Sequence, residues 1–142
     1  MRVAETDASI SDSEWAVMRI VWTMGACSSP AIVDQLQQQK GWRPSTGKTL
    51  LSRLVKKGLL STRPDGRRLI YQAKISQTDA LQQAGREFLA AICRKQQGKL
   101  LADMMSKATI SQSDLDDLVA LIAHKKQTAP QSVACNCCSH MN

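Results

Sequence analysis

The stretch WRPSTGKTLLSRLVKKGLL, residues 42–60, and the STRPDGRRLIYQAKI that follows it restrict the possible folds more than any other part of the chain. Pro44 and Ser45 open a helix, and Leu50, Leu51, Leu54 and Val55 recur at the spacing of one buried helical stripe. Gly58 stands where a left-handed residue ends such a helix, and Lys56 and Lys57 occupy the last turn, where cations suit the dipole. Two short strands, about 59–63 and 67–73, then flank Pro64-Asp65-Gly66, in which Pro sets φ and Gly accepts a positive φ. A helix that runs straight into a hairpin needs further helices to cover its apolar stripe.

The residues upstream supply them. Ser11 lies three positions before Glu14, the spacing of reciprocal capping, with Ile10 and Trp15 placed as a hydrophobic staple. Trp15, Met18, Val21 and Trp22 continue as one apolar stripe until Gly25. Ser29 then reads as an N-cap with Pro30 at the first helical position, opening a short helix through Leu36 with Ile32, Val33 and Leu36 inward. Three helices and a hairpin within about 75 residues form the layout of a winged helix-turn-helix. In that layout the third helix enters the major groove and the hairpin touches the backbone beside it. The expected fold class is mainly α, with a winged-helix DNA-binding domain over residues 1–75 and a small helical domain after it.

Helical spacing returns over residues 76–126. Leu81, Ala84, Phe88 and Ile92 mark a helix of about 77–95, and Gly98 marks a break before a shorter helix with Leu100, Leu101, Met104 and Met105. Ser111 and Asp114, framed by Ile110 and Leu115, repeat the opening device, and Leu118, Val119 and Ile122 carry the stripe to about 125. Phe88 is the one aromatic residue here, so these helices make a thin core alone. Packing against a second copy is expected, giving a homodimer through residues 76–126; folding back onto the chain's own first domain is the alternative. Residues 127–142, QTAPQSVACNCCSHMN, are polar and aperiodic, as in a flexible tail.

Charge separates the two halves. Residues 40–74 carry ten Lys and Arg against Asp65 alone, a local balance of +9 in a chain whose net charge is +7. A solvated basic face is the ordinary explanation for a charge run. A concentration this one-sided is what a phosphate backbone selects, because each neutralised phosphate releases condensed counterions. On the helix of residues 44–57, the face opposite the leucines shows Ser45, Thr46, Lys48, Thr49, Ser52 and Arg53, polar and without acids.

Other classes are excluded. No apolar run approaches the roughly 20 residues that cross a bilayer. MRVAETDASI lacks the apolar core of a secretory signal, so a cytoplasmic setting without membrane attachment is expected. Gly47-Lys48-Thr49 ends as a phosphate-binding loop does, but Gly41 lies one residue too far upstream and the preceding QLQQQK is no buried strand. The two histidines come late and the carboxylates are scattered, which leaves no nucleophile–base–acid set, so no enzyme is expected.

Cysteine usage points to a metal. Five Cys, three of them within the last eight residues, do not form a disulfide framework and suit a reducing compartment. Cys135, Cys137, Cys138 and His140 are four ligands within six residues, thiolate-rich and free of carboxylates, a set that favours Cu(I) or Zn(II). Adjacent Cys137 and Cys138 fit a tetrahedron around one ion awkwardly, which sharing between two tails or a multinuclear cluster would relieve. A cysteine-bearing end that only oxidises is the other reading. Cys27 and Cys93, each alone beside apolar positions, read as small core hydrophobes, and His124 as a surface histidine near a helix end.

In order along the chain, Ser11-x-x-Glu14-Trp15, Trp42 with Pro44, the run from Thr49 through Arg53-Leu54 to Lys56-Lys57-Gly58, and RRLIYQ resemble a known family. It is the penicillinase-repressor and CopY copper-repressor family of winged-helix proteins, and the resemblance covers about residues 10–125. It implies a homodimer that binds a palindromic double-stranded DNA operator and represses transcription. Ser45, Thr46, Lys48, Thr49 and Arg53 would lie on the DNA-reading helix with Arg43 and Ser52 beside them, and Arg67 and Arg68 on the wing. The β-lactam branch of the family is inactivated by cleavage at an Asn-Phe bond, a dipeptide this chain lacks. The copper branch ends in Cys-x-Cys, four residues and a second Cys-x-Cys. Here the end reads Cys135-Asn136-Cys137-Cys138-Ser139-His140, one thiolate fewer and without the spacer. That branch implies Zn(II) at the tail supporting the DNA-bound dimer, Cu(I) displacing it to release the operator, and a copper-donating chaperone as a further partner. The alternatives are the same repressor answering another soft metal, thiol oxidation or a β-lactam signal, and a metal-buffering or metallochaperone protein.

Overall fold

The computed structural model describes residues 9–139. In chain order the elements are α1 (Asp12–Met24), β1 (Cys27–Ser28), α2 (Ser29–Lys40), α3 (Pro44–Lys56), β2 (Leu60–Asp65), β3 (Arg68–Ala73), α4 (Gln77–Ala91), α5 (Arg94–Lys107) and α6 (Gln112–Lys126). The fold is mainly α, a winged helix-turn-helix followed by further helices. Two compact units divide between Gly85 and Arg86, within α4. Among the described residues no helix is long and apolar enough to cross a membrane.

Helix α1 starts with the reciprocal cap that its sequence requires. Ser11 Oγ accepts from the Glu14 amide at 3.2 Å, and Glu14 Oε1 accepts from the Ser11 amide at 2.9 Å. The same Oε1 accepts from Lys57 Nζ at 2.6 Å, and Lys57 donates also to the Ser9 carbonyl at 2.9 Å. Glu14 is only 1% exposed, and its Oε2 has no hydrogen-bond partner among the described residues. Burial opposes the charge on Glu14. The hydrogen bonds from Lys57 and Ser11 and the Lys57 charge outweigh it and hold the carboxyl below its ordinary range.

The core of the first unit is the sum of three helical stripes. Val17, Met18, Ile20 and Val21 of α1 meet Ile32 and Leu36 of α2 and Leu50, Leu51 and Leu54 of α3, with Leu59 and Leu60 closing the floor. Burying a side chain such as Leu51 or Leu54 contributes roughly 1.5–3 kcal/mol. Val55, expected in this stripe, is 36% exposed, because it lies at the edge of the arc that three helices can cover. Trp22 Nε1 donates to the Ile75 carbonyl at 2.9 Å and so ties α1 to the chain just after β3.

Helix α3 ends in the paired turn its Gly58 allows. The Leu59 amide donates to the Leu54 carbonyl and the Gly58 amide to that of Val55, with Gly58 at φ 78°. Gly47 has a different reason to be glycine. A Cβ there would lie 3.1 Å from Val33 Cγ2 and 3.2 Å from Leu36 Cδ1, so its absence lets α3 approach α2 closely.

The sheet has the order β1-β3-β2 with antiparallel pairs, Leu60 opposite Ala73 and Asp65 opposite Arg68. The turn is therefore Gly66-Arg67, and Pro64 pairs with Leu69 inside β2. This differs from the expected Pro64-Asp65-Gly66 turn: β2 is an edge strand, where a proline leaves no ladder bond unmade. β1 is too short to carry a periodic signal and exists through its pairing of Cys27 with Tyr71 and Ser28 with Ile70. Ser28 rather than Ser29 caps α2, its Oγ accepting from the Ala31 amide, and the helix runs on to Lys40.

In the second unit the break falls at Ile92 and Cys93, and Gly98 lies inside α5, where a glycine is tolerated at a modest loss. Ser111 caps α6 by accepting from the Asp114 amide at 3.1 Å. Neither α5 nor α6 has a buried residue, and Leu101, Met104, Leu121, Ile122 and Val119 stand out from them, Val119 at 67% exposed.

Two consequences can be measured in the first unit. Gly47→Ala gains up to about 1 kcal/mol of helix propensity but overpacks stiff, β-branched Val33 at a cost of about 1–3 kcal/mol. A net loss of about 1 kcal/mol is expected by urea unfolding, and Val33→Ala should relieve it non-additively. Lys57→Ala strands the Glu14 carboxylate; at neutral pH the expected loss is roughly 2–3 kcal/mol, below that for a fully buried pair because Lys57 is 31% exposed. Since the folded state depresses the Glu14 carboxyl, the pair adds stability above the ordinary value of 4.5 that is lost as pH falls through the lower folded value. The gap between wild type and Lys57→Ala, measured by unfolding across pH, should therefore close in acid.

Candidate nucleic-acid interface and cysteine cluster

The basic face of α3 follows from how the helix is held. Its leucines and Gly47 face the core, so Ser45, Thr46, Lys48, Thr49, Ser52 and Arg53 are turned outward and exposed. Arg43, also exposed, occupies the N-cap without a side-chain cap bond, and no acid lies in the first turn. Thr49 Oγ1 donates to the Ser45 carbonyl at 2.9 Å, which leaves its lone pairs to accept from a partner. Among the described residues none of Lys48, Arg53, Arg67 and Arg68 is paired with an acid, whereas Lys57, at the end of the same helix, is held by Glu14.

The hairpin continues this surface. Every residue from 61 to 69 is exposed, and with both strand faces uncovered the arm cannot serve the core. Arg63, Arg67 and Arg68 lie on it, Arg67 in the two-residue turn. An open depression beside α3 is lined by Ser11, Ser13, Trp42, Thr46, Thr49 and Arg53. Ser13 was not legible as part of this surface; its position in the first turn of α1 carries no such signal, and only the packing of α1 on α3 brings it there.

The second cluster is sulfur. The Sγ atoms of Cys93, Cys135 and Cys137 all lie within 4.8 Å of one another. Cys93 is the non-helical residue before α5 and only half-buried, so it is not the core hydrophobe its apolar neighbours suggest. The tail is tied down beside it, with Asn136 Oδ1 accepting from the Arg94 amide, the first of α5, at 2.9 Å. The Cys137 amide donates to Cys135 Sγ at 3.4 Å. Cys138 is exposed and its sulfur is not part of the group of three; His140 lies outside the described residues. Cys27 is buried, and burial pushes its thiol up, as befits an inert core position.

Cys93 and Cys137 are shifted in opposite directions. The Lys95 amide in the first turn of α5, then the thiols of Cys137 and Cys135, favour the Cys93 thiolate and lower it from 9.0 to about 7. The proton on Cys137 is retained by Cys135 and then Cys93, with burial adding to the effect, and its thiol is pushed up to about 12.

The sequence profile of the penicillinase repressor family matches residues 10–124. The uncharacterized 16.5 kDa protein in the ptsI 3' region of Latilactobacillus sakei is 42% identical over 95% of this chain and 92% of its own length. The methicillin resistance regulatory protein MecI of Staphylococcus aureus is 28% identical over 82% of this chain and 94% of its own. A solution structure of monomeric Bacillus licheniformis BlaI in complex with the blaP half-operator matches 51% of this chain and 88% of that one, at 33% identity and a TM-score of 0.46.

Thiolate absorbance against pH checks the sulfur electrostatics. One thiol of the reduced chain should titrate near 7, and serine at both Cys135 and Cys137 should move that step upward, though short of 9.0, because the Lys95 amide remains. An unmoved step would mean that the tail sulfurs do not reach Cys93.

Proposed function

The chain belongs to the penicillinase repressor family, and from that premise we propose that it is a DNA-binding transcriptional repressor. It reads a palindromic operator as a homodimer and releases it in response to Cu(I) at its C-terminal cysteines, the behaviour of the CopY-type branch. The observation that carries the DNA half is the contrast along α3: Lys57 is paired with Glu14, while Lys48 and Arg53 project from an acid-free face with no acid partner among the described residues. Unpaired cations on a rigid helix are what a major groove requires, and Arg67 and Arg68 on the exposed hairpin suit the flanking phosphates. The exposed apolar side chains of α5 and α6 support pairing through residues 76–126, where a second copy would cover them.

The donor set suits the signal. Thiolates without carboxylates select soft cations such as Cu(I) or Zn(II), and Cys135 and Cys137 turn their sulfurs toward one point. When bound, a soft ion cross-links thiolates that are otherwise joined only by weak hydrogen bonds. This biases the second unit toward one geometry, and release of DNA is the differential affinity of two such geometries. Oxidation of the same close sulfurs to a disulfide is a second reading that the geometry favours.

Fluorescence anisotropy on a duplex taken from upstream of the gene tests both halves. Binding should weaken steeply with salt, and Lys48→Ala or Arg53→Ala should lower affinity and flatten the logarithmic salt slope by about one unit each. Unchanged slopes would remove α3 from the interface. Under anaerobic reductant, Cu(I) should release the wild-type complex, while a Cys135→Ser/Cys137→Ser variant stays bound. Release of that variant would place the sensor elsewhere, and release by oxidant alone would favour the disulfide.

A further inference from the structure

We infer that Cys93, outside the terminal cysteine run, completes a three-sulfur site with Cys135 and Cys137 of the same chain, and that this site holds one Cu(I). The inference deepens the copper-responsive reading above and rests on it for the identity of the ion.

Distance supports it first. An ion about 2.3 Å from each of three sulfurs in a plane sets them about 4 Å apart. The three Sγ atoms already lie within 4.8 Å of one another, so closure requires shifts below an ångström. Such an approach between residues far apart in sequence is not forced by chain connectivity. It is built by the hydrogen bond from the Arg94 amide to Asn136 Oδ1, across 42 residues, which hooks the middle of Cys135-Asn136-Cys137 onto the first turn of α5. The bond from the Cys137 amide to Cys135 Sγ folds the two flanking sulfurs to one side of that hook. Cys93 directly precedes Arg94, so the hook delivers both tail sulfurs to it.

The donor count then selects the ion. Structural Zn(II) is almost always four-coordinate, and the described residues offer no fourth ligand within this group. Cu(I) is satisfied by a few soft thiolates. Cys93 also removes the difficulty of adjacent thiolates: Cys137 and Cys138 need not share one ion, because the third sulfur comes from the α4–α5 junction instead. Loading displaces the thiol protons still present to solvent, with no change of oxidation state. The ion would close the segment holding α5, α6 and the tail into a loop and would need no second chain to complete its shell.

The test uses the full-length reduced chain under anaerobic conditions, titrated with Cu(I) in competition with bathocuproine disulfonate, with the sulfur count read by X-ray absorption. One Cu(I) per chain bound by three sulfurs is expected. Cys93→Ser should weaken binding as much as Cys135→Ser does, by more than the roughly 100-fold that loss of an outer-shell partner can bring. Cys138→Ser should leave affinity unchanged. Should Cys93→Ser fail to fold by circular dichroism, Asn136→Ala, an exposed change that unhooks the tail, must weaken Cu(I) binding in its place. Wild-type affinity in Cys93→Ser, with Cu(I) lost in Cys135→Ser, would overturn the inference and leave the terminal cysteines as the sensor. No Cu(I) binding by the wild type would overturn both. A three-sulfur site that fills without releasing the operator would uphold the inference and defeat the proposed function.

Discussion

The ion pair between Glu14 and Lys57 governs the geometry of the first unit. One carboxylate oxygen closes the N-terminal cap of α1 and simultaneously accepts from the ammonium at the end of α3. Two buried or half-buried charges are tolerable in an apolar core only because each has the other, and the Ser9 carbonyl takes a further donor of Lys57. The hydrophobic stripes of three short helices, with Gly47 of α3 seated against Val33 and Leu36 of α2, set how closely α3 lies on its neighbours. A directional, charge-assisted bond between helix ends adds a fixed point to that packing.

The same arrangement explains how a chain with many cations can still present a specific surface. Charges of one sign near a protein surface repel and, if solvated, contribute little to stability. Here they divide by location. Lys57 serves the interior, while Lys48, Arg53, Arg67 and Arg68 stand on the exposed face of α3 and the exposed end of the hairpin. The hairpin is exposed over residues 61–69, and no residue of that stretch joins the core.

The second unit has the opposite character. α5 and α6 bury no residue, and their large apolar side chains remain in contact with solvent. The hydrogen bond from Arg94 to Asn136 and the three sulfurs beside it gather the C-terminal segment onto the start of α5. Electrostatics at that point is shared, since lowering the Cys93 thiol and raising that of Cys137 are two sides of one proton distribution.

Local chemistry by itself determined the helices of the first unit, the hairpin and the polar face of α3. Capping by Ser11, the αL position of Gly58 and the spacing of Leu50, Leu51 and Leu54 act within one or two turns and leave a readable periodic signal. The family resemblance and the cysteine-rich end were legible for the same reason, as short runs of residue types. Tertiary structure alone decided the rest. β1 is two residues long and exists only because β3 pairs with it; Pro64 is a strand residue because β2 happens to be an edge; Gly47 is glycine because α2 comes within van der Waals reach. Lys57 and Glu14 meet across 43 residues, and Arg94 meets Asn136, beside Cys93 and the tail cysteines, across 42. No periodicity can announce such encounters, because the path of the folded chain, and not the spacing of residues along it, sets the distance between those atoms.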